Sequence, residues 1–351
     1  MPPVDQGPFS QPSRLALIDA YFADRRVAAA EAWKDVYRLL LWADPTTGLA
    51  HCYESDKAQP GRPWYARTLA FHAWLAEQFG LGQGELADDL DWMFRQVIKQ
   101  VAEEEADRRT RLAVRAETQR QHYNASMPAP GDDPELRQII EPLLPDDPDR
   151  RPGDELIRDI LRRVRAHIGS ENKRKNLLGR GFEDVLSGIV SRLADGPPAE
   201  LGIQTPIEDI RGFRSPRSGD KTEKVDLWVG PADGRRILVS AKWSVRADRE
   251  KQMRGDFLTY VACNELREPF QHVLITNEFD PARLLANATN TEANQYLFDC
   301  VVHVCPEALA VVHELDRPTL PRTQAQLKDA LDRQRIVGLG DWLTGISAGQ
   351  P

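Results

Sequence analysis

From Pro12 to about Asp44 the apolar residues Leu15, Leu17, Ile18, Tyr21 and Phe22, then Ala30, Trp33, Val36, Leu39 and Leu40, recur at helical spacing. This pattern predicts one or two amphipathic helices. A second run from Tyr65 to Phe79, carrying Leu69, Phe71, Trp74 and Leu75, and a third from Glu85 to about Tyr123 keep the same period. The third ends in a highly charged stretch around Glu103 to Arg120, and residues 1–124 therefore read as an all-helical N-terminal domain. Seven prolines lie between Pro128 and Pro152 among clusters of Asp, leaving room only for a short turn over Leu136 to Ile140. Residues 125–152 are accordingly read as a linker. Beyond it, helices are expected over Asp154 to Ile168 and from about Asn176 to Leu193, after which the apolar period shortens to two. Strands are predicted at Val225 to Val229, Ile237 to Trp243, His272 to Thr276 and Cys300 to Val304, with helices over Arg249 to Leu266 and Gln324 to Arg335. Residues 153–351 thus read as an α/β or α+β sheet domain with helices packed on it.

With 351 residues, 41% of them hydrophobic and 28% charged, the chain has ordinary globular composition, which excludes a wholly disordered, collagenous or coiled-coil protein. No run approaches the ~20 apolar residues of a membrane span, and Met1-Pro2-Pro3 with Asp5 does not resemble a secretory leader. Cys52, Cys263, Cys300 and Cys305 form neither a CxxC motif nor a paired metal knuckle, so a reducing cytoplasm is the expected location. His303, between the last two, reads as a buried strand residue. The net charge of −8 does not by itself nominate a nucleic-acid binder. Its distribution alters that picture, because residues 151–270 carry 23 Lys and Arg against 19 Asp and Glu.

The candidate chemistry lies in that basic third. Lys224-Val225-Asp226-Leu227-Trp228-Val229 and Arg236-Ile237-Leu238-Val239-Ser240-Ala241-Lys242 flank a turn containing Asp233-Gly234, so they are expected to be neighbouring antiparallel strands. Asp226 and Lys242 can then meet. Alternation also places Lys242 on the face of Leu238 and Ser240, where a charge among apolar neighbours needs a reason. A structural ion pair and a catalytic pair are both consistent with these two residues alone.

The continuation resembles a known family. Ser240-Ala241-Lys242 followed by Arg246, Asp248 and Arg249, at +4, +6 and +7 from the Lys, is similar to the signature of type II restriction endonucleases that recognise CCGG-containing sites, within the PD-(D/E)XK nuclease superfamily. In that family Ser commonly stands two positions before the Lys, and the missing carboxylate comes from about two helical turns further on, where Asp256 stands at +14. Glu183, in Gly181-Phe182-Glu183-Asp184-Val185, resembles the family's helical Glu. The chain departs from the pattern at Asp256, where the family usually has Glu, and at Val225, where the superfamily motif has Pro. The resemblance covers about Lys224 to Asp256, with a weaker extension to Glu183. It implies a PD-(D/E)XK mixed sheet flanked by helices, with Asp226, Lys242, Asp256 and Glu183 catalytic and the three carboxylates holding Mg²⁺.

The chemistry agrees with those residue types. Hydrolysing an anionic phosphodiester requires neutralising charge in the transition state and making hydroxide near neutral pH, which metal-bound water, carboxylates and a Lys can do together. Arg246, Asp248 and Arg249 suit adjacent G·C pairs, since Arg donates twice to guanine and a carboxylate accepts from cytosine. Equally, Arg246, Arg249 and Glu250 could form a solvated helix start. Lys173, Arg174 and Lys175 are candidates for contact with the DNA backbone, although basic clusters at helix starts are often merely solvated. The expected function is a Mg²⁺-dependent endonuclease cutting double-stranded DNA at a CCGG-type palindrome. Reading a palindrome needs two copies, hence a homodimer or higher oligomer, and a restriction enzyme implies a cognate DNA methyltransferase as genetic partner. The alternatives are a PD-(D/E)XK nuclease of a repair or modification-dependent system, and a catalytically decayed DNA-binding relative.

Overall fold

A computed structural model describes residues 10–41, 60–62, 64–90, 96, 114–115, 134–145, 152–153, 156–157, 178–216, 224–265, 268–292 and 295–348. The chain divides into two compact units, Met1–Gln96 with Asn176–Pro351, and Val97–Lys175. In the second unit the described residues form a short helix, Pro134–Ile140, continued by a 3₁₀ turn, Glu141–Leu143. Most of the segment expected as a helix over 154–168 lies outside the described residues.

The first unit opens with α1 (Gln11–Phe22), α2 (Ala32–Leu40), α3 (Tyr65–Phe79), α4 (Gln83–Asp89) and α5 (178–190). Ser10 caps α1 by accepting from the Ser13 N–H at 3.4 Å. The apolar stripes anticipated from periodicity are buried, but their partner is the sheet. Ile18 and Phe22 of α1, Val36 and Leu40 of α2, Phe71 and Leu75 of α3, and Phe182, Val185 and Ile189 of α5 share one core with Leu227, Val229, Val239 and Ala241. The described part of residues 1–124, expected as a separate domain, is therefore not one. Periodicity reveals which side of a helix is buried and not what buries it. α1 and α5 approach closely at Gly188, where an added Cβ would sit 2.5 Å from Ile18 Cγ2. Val27 reinforces the contact, donating to Arg192 O at 2.8 Å and accepting from Ala194 N at 2.9 Å.

The remaining elements are β1 (Glu200–Pro206), β2 (Lys224–Gly230), β3 (Ile237–Lys242), α6 (Ala247–Cys263), β4 (Gln271–Thr276), α7 (Pro281–Thr289), β5 (Thr291–Glu292), β6 (Gln295–Tyr296), β7 (Cys300–His303), α8 (Pro306–His313), α9 (Arg322–Asp332), β8 (Ile336–Gly338) and α10 (Leu339–Ala348). Six strands form a mixed sheet in the order β1-β2-β3-β4-β7-β8, while β5 and β6 make a small hairpin. β1, β2 and β3 are antiparallel neighbours, and β3, β4, β7 and β8 run parallel. The fold is thus mixed α/β, with a central sheet flanked by helices. The expected turn between β2 and β3 forms with Gly234 donating to Pro231 O at 3.0 Å, in a left-handed conformation (φ +86°) that favours Gly.

Alternation divides the strands between two faces. Leu227, Val229, Ile237 and Val239 enter the main core, whereas Trp228 and Leu238 meet Tyr260 and Cys263 of α6 on the other side. The parallel register aligns Lys242 with Thr276 and Thr276 with His303, so the carboxyl ends of β3, β4 and β7 lie along one edge. No helix among the described residues is long and apolar enough to cross a membrane.

Candidate functional site

Asp226 and Lys242 meet as the strand reading anticipates. Leu227 pairs with Val239, and continuing this register sets Asp226 across from Ser240 with Lys242 its diagonal neighbour on the same face. The Lys242 ammonium donates to Asp226 Oδ2, which also accepts from the Ala241 N–H at 3.0 Å. Each side chain of the pair is only 14% exposed, so the charges are largely withdrawn from water yet remain reachable.

The other Asp226 oxygen faces a residue that sequence reasoning missed. Gln204 of β1 donates from Nε2 to Glu183 Oε2 at 2.7 Å and to Asp226 Oδ1 at 3.3 Å. One amide thus bridges two carboxyl groups brought from a helix and a strand. Gln204 has φ +48°, between the regular pairs Ile203 with Leu227 and Thr205 with Val225. A left-handed residue other than Gly costs about 1–3 kcal/mol and persists where its surroundings over-determine it, often at functional sites. No motif marks Gln204, because the β1 strand itself is not apparent in Glu200-Leu201-Gly202-Ile203-Gln204-Thr205-Pro206.

Glu183 is brought to this position by α5, whose neighbouring residues Phe182, Val185 and Leu186 are core. Burial pushes its carboxyl up to about 8, and the Asp226 charge adds to the rise, while Lys242 and Gln204 oppose it. Without a cation the group therefore holds a proton at neutral pH. Asp184 points elsewhere, accepting from Arg14 Nε at 2.6 Å and Gln11 Nε2 at 3.3 Å. That buried pair anchors α1 to the helix bearing Glu183. Burial raises the Asp184 carboxyl too, against the pull of Arg14.

Ser240 has a different partner. His272 Nδ1 lies 2.9 Å from Leu297 O, a carbonyl that can only accept, so the neutral ring carries its proton there and its Nε2 accepts from Ser240 Oγ at 3.2 Å. Burial pushes His272 down to about 4, which keeps it neutral. Its ring stacks on Phe257 of α6 at 5.6 Å, so Ser240 helps to seat that helix. His303 is fully buried, with Nδ1 accepting from Cys305 N and Nε2 donating to Glu278 O, both at 3.1 Å.

The proposed base-reading segment follows directly. Arg246 occupies the N-cap of α6, its carbonyl accepting from Arg249 N at 2.9 Å and Glu250 N at 3.2 Å. Arg246 and Arg249 are half-exposed, and Arg249 Nη1 donates to Gln252 Oε1 at 2.8 Å. The Asp248 side chain and Lys173, Arg174 and Lys175 lie outside the described residues. Asp256 is half-buried within α6. Among the described residues no group of three or more His, Cys, Asp or Glu side chains is arranged to hold a metal, so Asp256 is not gathered with Glu183 and Asp226. Those two carboxyl groups, bridged by one amide, nevertheless suit Mg²⁺. It binds hard oxygen donors, commonly through one or two carboxylates, and retains several waters.

Comparison with protein-family models finds no match, and comparison with curated proteins finds none either.

Proposed function

We propose that the chain is a Mg²⁺-dependent, sequence-specific endonuclease of the type II restriction class. It would hydrolyse phosphodiester bonds in double-stranded DNA at a CCGG-type palindrome, as a homodimer or higher oligomer of PD-(D/E)XK architecture. One observation carries the reading: Asp226, Lys242, Glu183 and Gln204 converge at the end of β3, and Arg246 opens the next helix three residues after Trp243. A scissile group and a base-reading segment would then belong to one continuous stretch of chain.

The residues divide the work as follows. Asp226 and Glu183 offer the oxygens for the cation, and the Ala241 N–H and the Gln204 amide hold those oxygens in place. Bound there, Mg²⁺ would neutralise negative charge on the phosphate and acidify a coordinated water. Lys242 has three N–H donors; one engages Asp226, leaving capacity for a phosphate oxygen or the attacking water. Arg246 and Arg249 would address guanine edges in the major groove. The closed Asp226–Lys242 ion pair, with Asp256 not gathered to it, favours one rival reading, a DNA-binding relative without catalysis.

The test is to sequence the ends of fragments made from unmodified DNA in Mg²⁺. Ends confined to one CCGG-containing sequence are expected. Scattered ends, or cleavage only of methylated DNA, would assign the chain to another nuclease system, and no cleavage would favour the binding protein.

A further inference from the structure

The three residues between Lys242 and Arg246 are held by an unusual amount of hydrogen bonding from the neighbouring strand. Trp243 O accepts from Thr276 Oγ1 at 3.3 Å and from the Asn277 N–H at 2.9 Å. The Trp243 ring packs edge-on against Phe182 of α5 at 5.4 Å. Val245 N donates to Glu278 Oε2 at 2.9 Å, while the other oxygen of the same carboxyl accepts from Asp280 N, also at 2.9 Å. Glu278 is only 2% exposed, and Arg283 Nη1 approaches Oε2 at 3.8 Å. A carboxyl group buried at a loop crossing is unfavourable unless its hydrogen bonds are needed.

We propose that Glu278 is a positioning residue that fixes the connection between Lys242 and Arg246, and so sets the register between bond scission and base reading. The proposal rests on the nuclease reading above. Glu278 touches neither Asp226 nor Lys242 in the contacts described. It acts by tying the β3–α6 loop, through Val245, to the β4–α7 loop, through Asp280. Its two oxygens serve two N–H donors arriving from different loops. An amide in its place has only one carbonyl oxygen, and its NH₂ would face the second donor. Glu278→Gln is therefore nearly isosteric yet unable to make both bonds. Misplacing a reacting geometry by a fraction of its span is expensive, and lost base contacts are each worth about 1–3 kcal/mol.

The experiment compares the unaltered chain, Glu278→Gln and a control, Tyr37→Phe, which removes the buried 3.0 Å hydrogen bond to Asn277 Oδ1 next door. Burial pushes the Glu278 carboxyl up to about 7, so the work is done near pH ~8, where it is ionised. Two measurements are made in parallel: kcat/KM in Mg²⁺ on duplexes carrying CCGG or a one-base-pair change, and amide hydrogen exchange at Val245 and Asp280. In Glu278→Gln we expect the ratio of the two kcat/KM values to fall about tenfold or more, with faster exchange at one or both amides. Tyr37→Phe should lower stability and keep the ratio. An unchanged ratio in Glu278→Gln, or an equal fall in Tyr37→Phe, overturns the positioning role. Failure of the unaltered chain to cleave either duplex overturns the nuclease reading instead, and unchanged exchange at both amides overturns the clamp itself.

Discussion

Glu183 sits against the preference of its surroundings, since burial and the neighbouring Asp226 both favour its protonated form. Its pKa of about 8, against an ordinary 4.5, means that the folded chain holds a proton which the unfolded chain releases across that window. Stability should therefore fall as pH rises from about 4.5 towards 8 and level off above it. Glu183→Gln removes this dependence. In metal-free buffer the variant should match the parent near pH 5 and exceed it by about 2–4 kcal/mol near pH 8.5, as read from urea unfolding midpoints. Parallel curves across that range would mean that Glu183 is not buried beside a second carboxylate. The same group makes cation binding proton-linked. Because the proton must leave, Ca²⁺ affinity in the parent should rise about tenfold per pH unit below pH ~8, and the variant should lose that slope. A residue that destabilises its own fold at the pH where a cation could use it is more easily explained by binding than by packing.

At the level of elements, α1 bears on the site through α5. Arg14 and Asp184 are both buried, and their 2.6 Å ion pair is made between helices 170 residues apart in sequence. Removing one partner leaves the other charged without compensation, so Arg14→Met should cost about 3–5 kcal/mol of stability. The double variant Arg14→Met, Asp184→Leu should recover most of it. Thermal or denaturant unfolding of the four proteins in the cycle tests this, and additive losses would contradict it. The elements also explain what the sequence could and could not disclose. β2 and β3 are legible because their apolar alternation brackets a Gly234 turn, and with them the meeting of Asp226 and Lys242. β1 is obscured by Gly202 and the terminal Pro206, and Gln204 is hidden with it. Glu183 stands out only through a resemblance, since a helical Glu beside a Phe is ordinary. α7 carries a readable start, Asp280 accepting from Ala282 N and Arg283 N with Pro281 at its first position, but no long apolar stripe leads to it.

Across the whole molecule, the net charge of −8 conceals a central third with an excess of basic residues, and that third holds Asp226, Lys242 and Arg246. The helices of the N-terminal part cover one side of the same sheet, so the scaffold of the site draws on residues far outside the motif. That dependence could not be read from the sequence, because amphipathic stripes in α1, α2 and α3 would look the same around a core of their own. The account as a whole stands on Asp226 and Lys242 acting on DNA. The most direct measurement incubates the purified chain, Asp226→Ala and Lys242→Ala with plasmid DNA in Mg²⁺, while following duplex binding in Ca²⁺. Discrete fragments from the unaltered chain, none from either variant, and retained binding by both are predicted. Cleavage by either variant at the parental rate, or an unaltered chain that binds and does not cut, would contradict it.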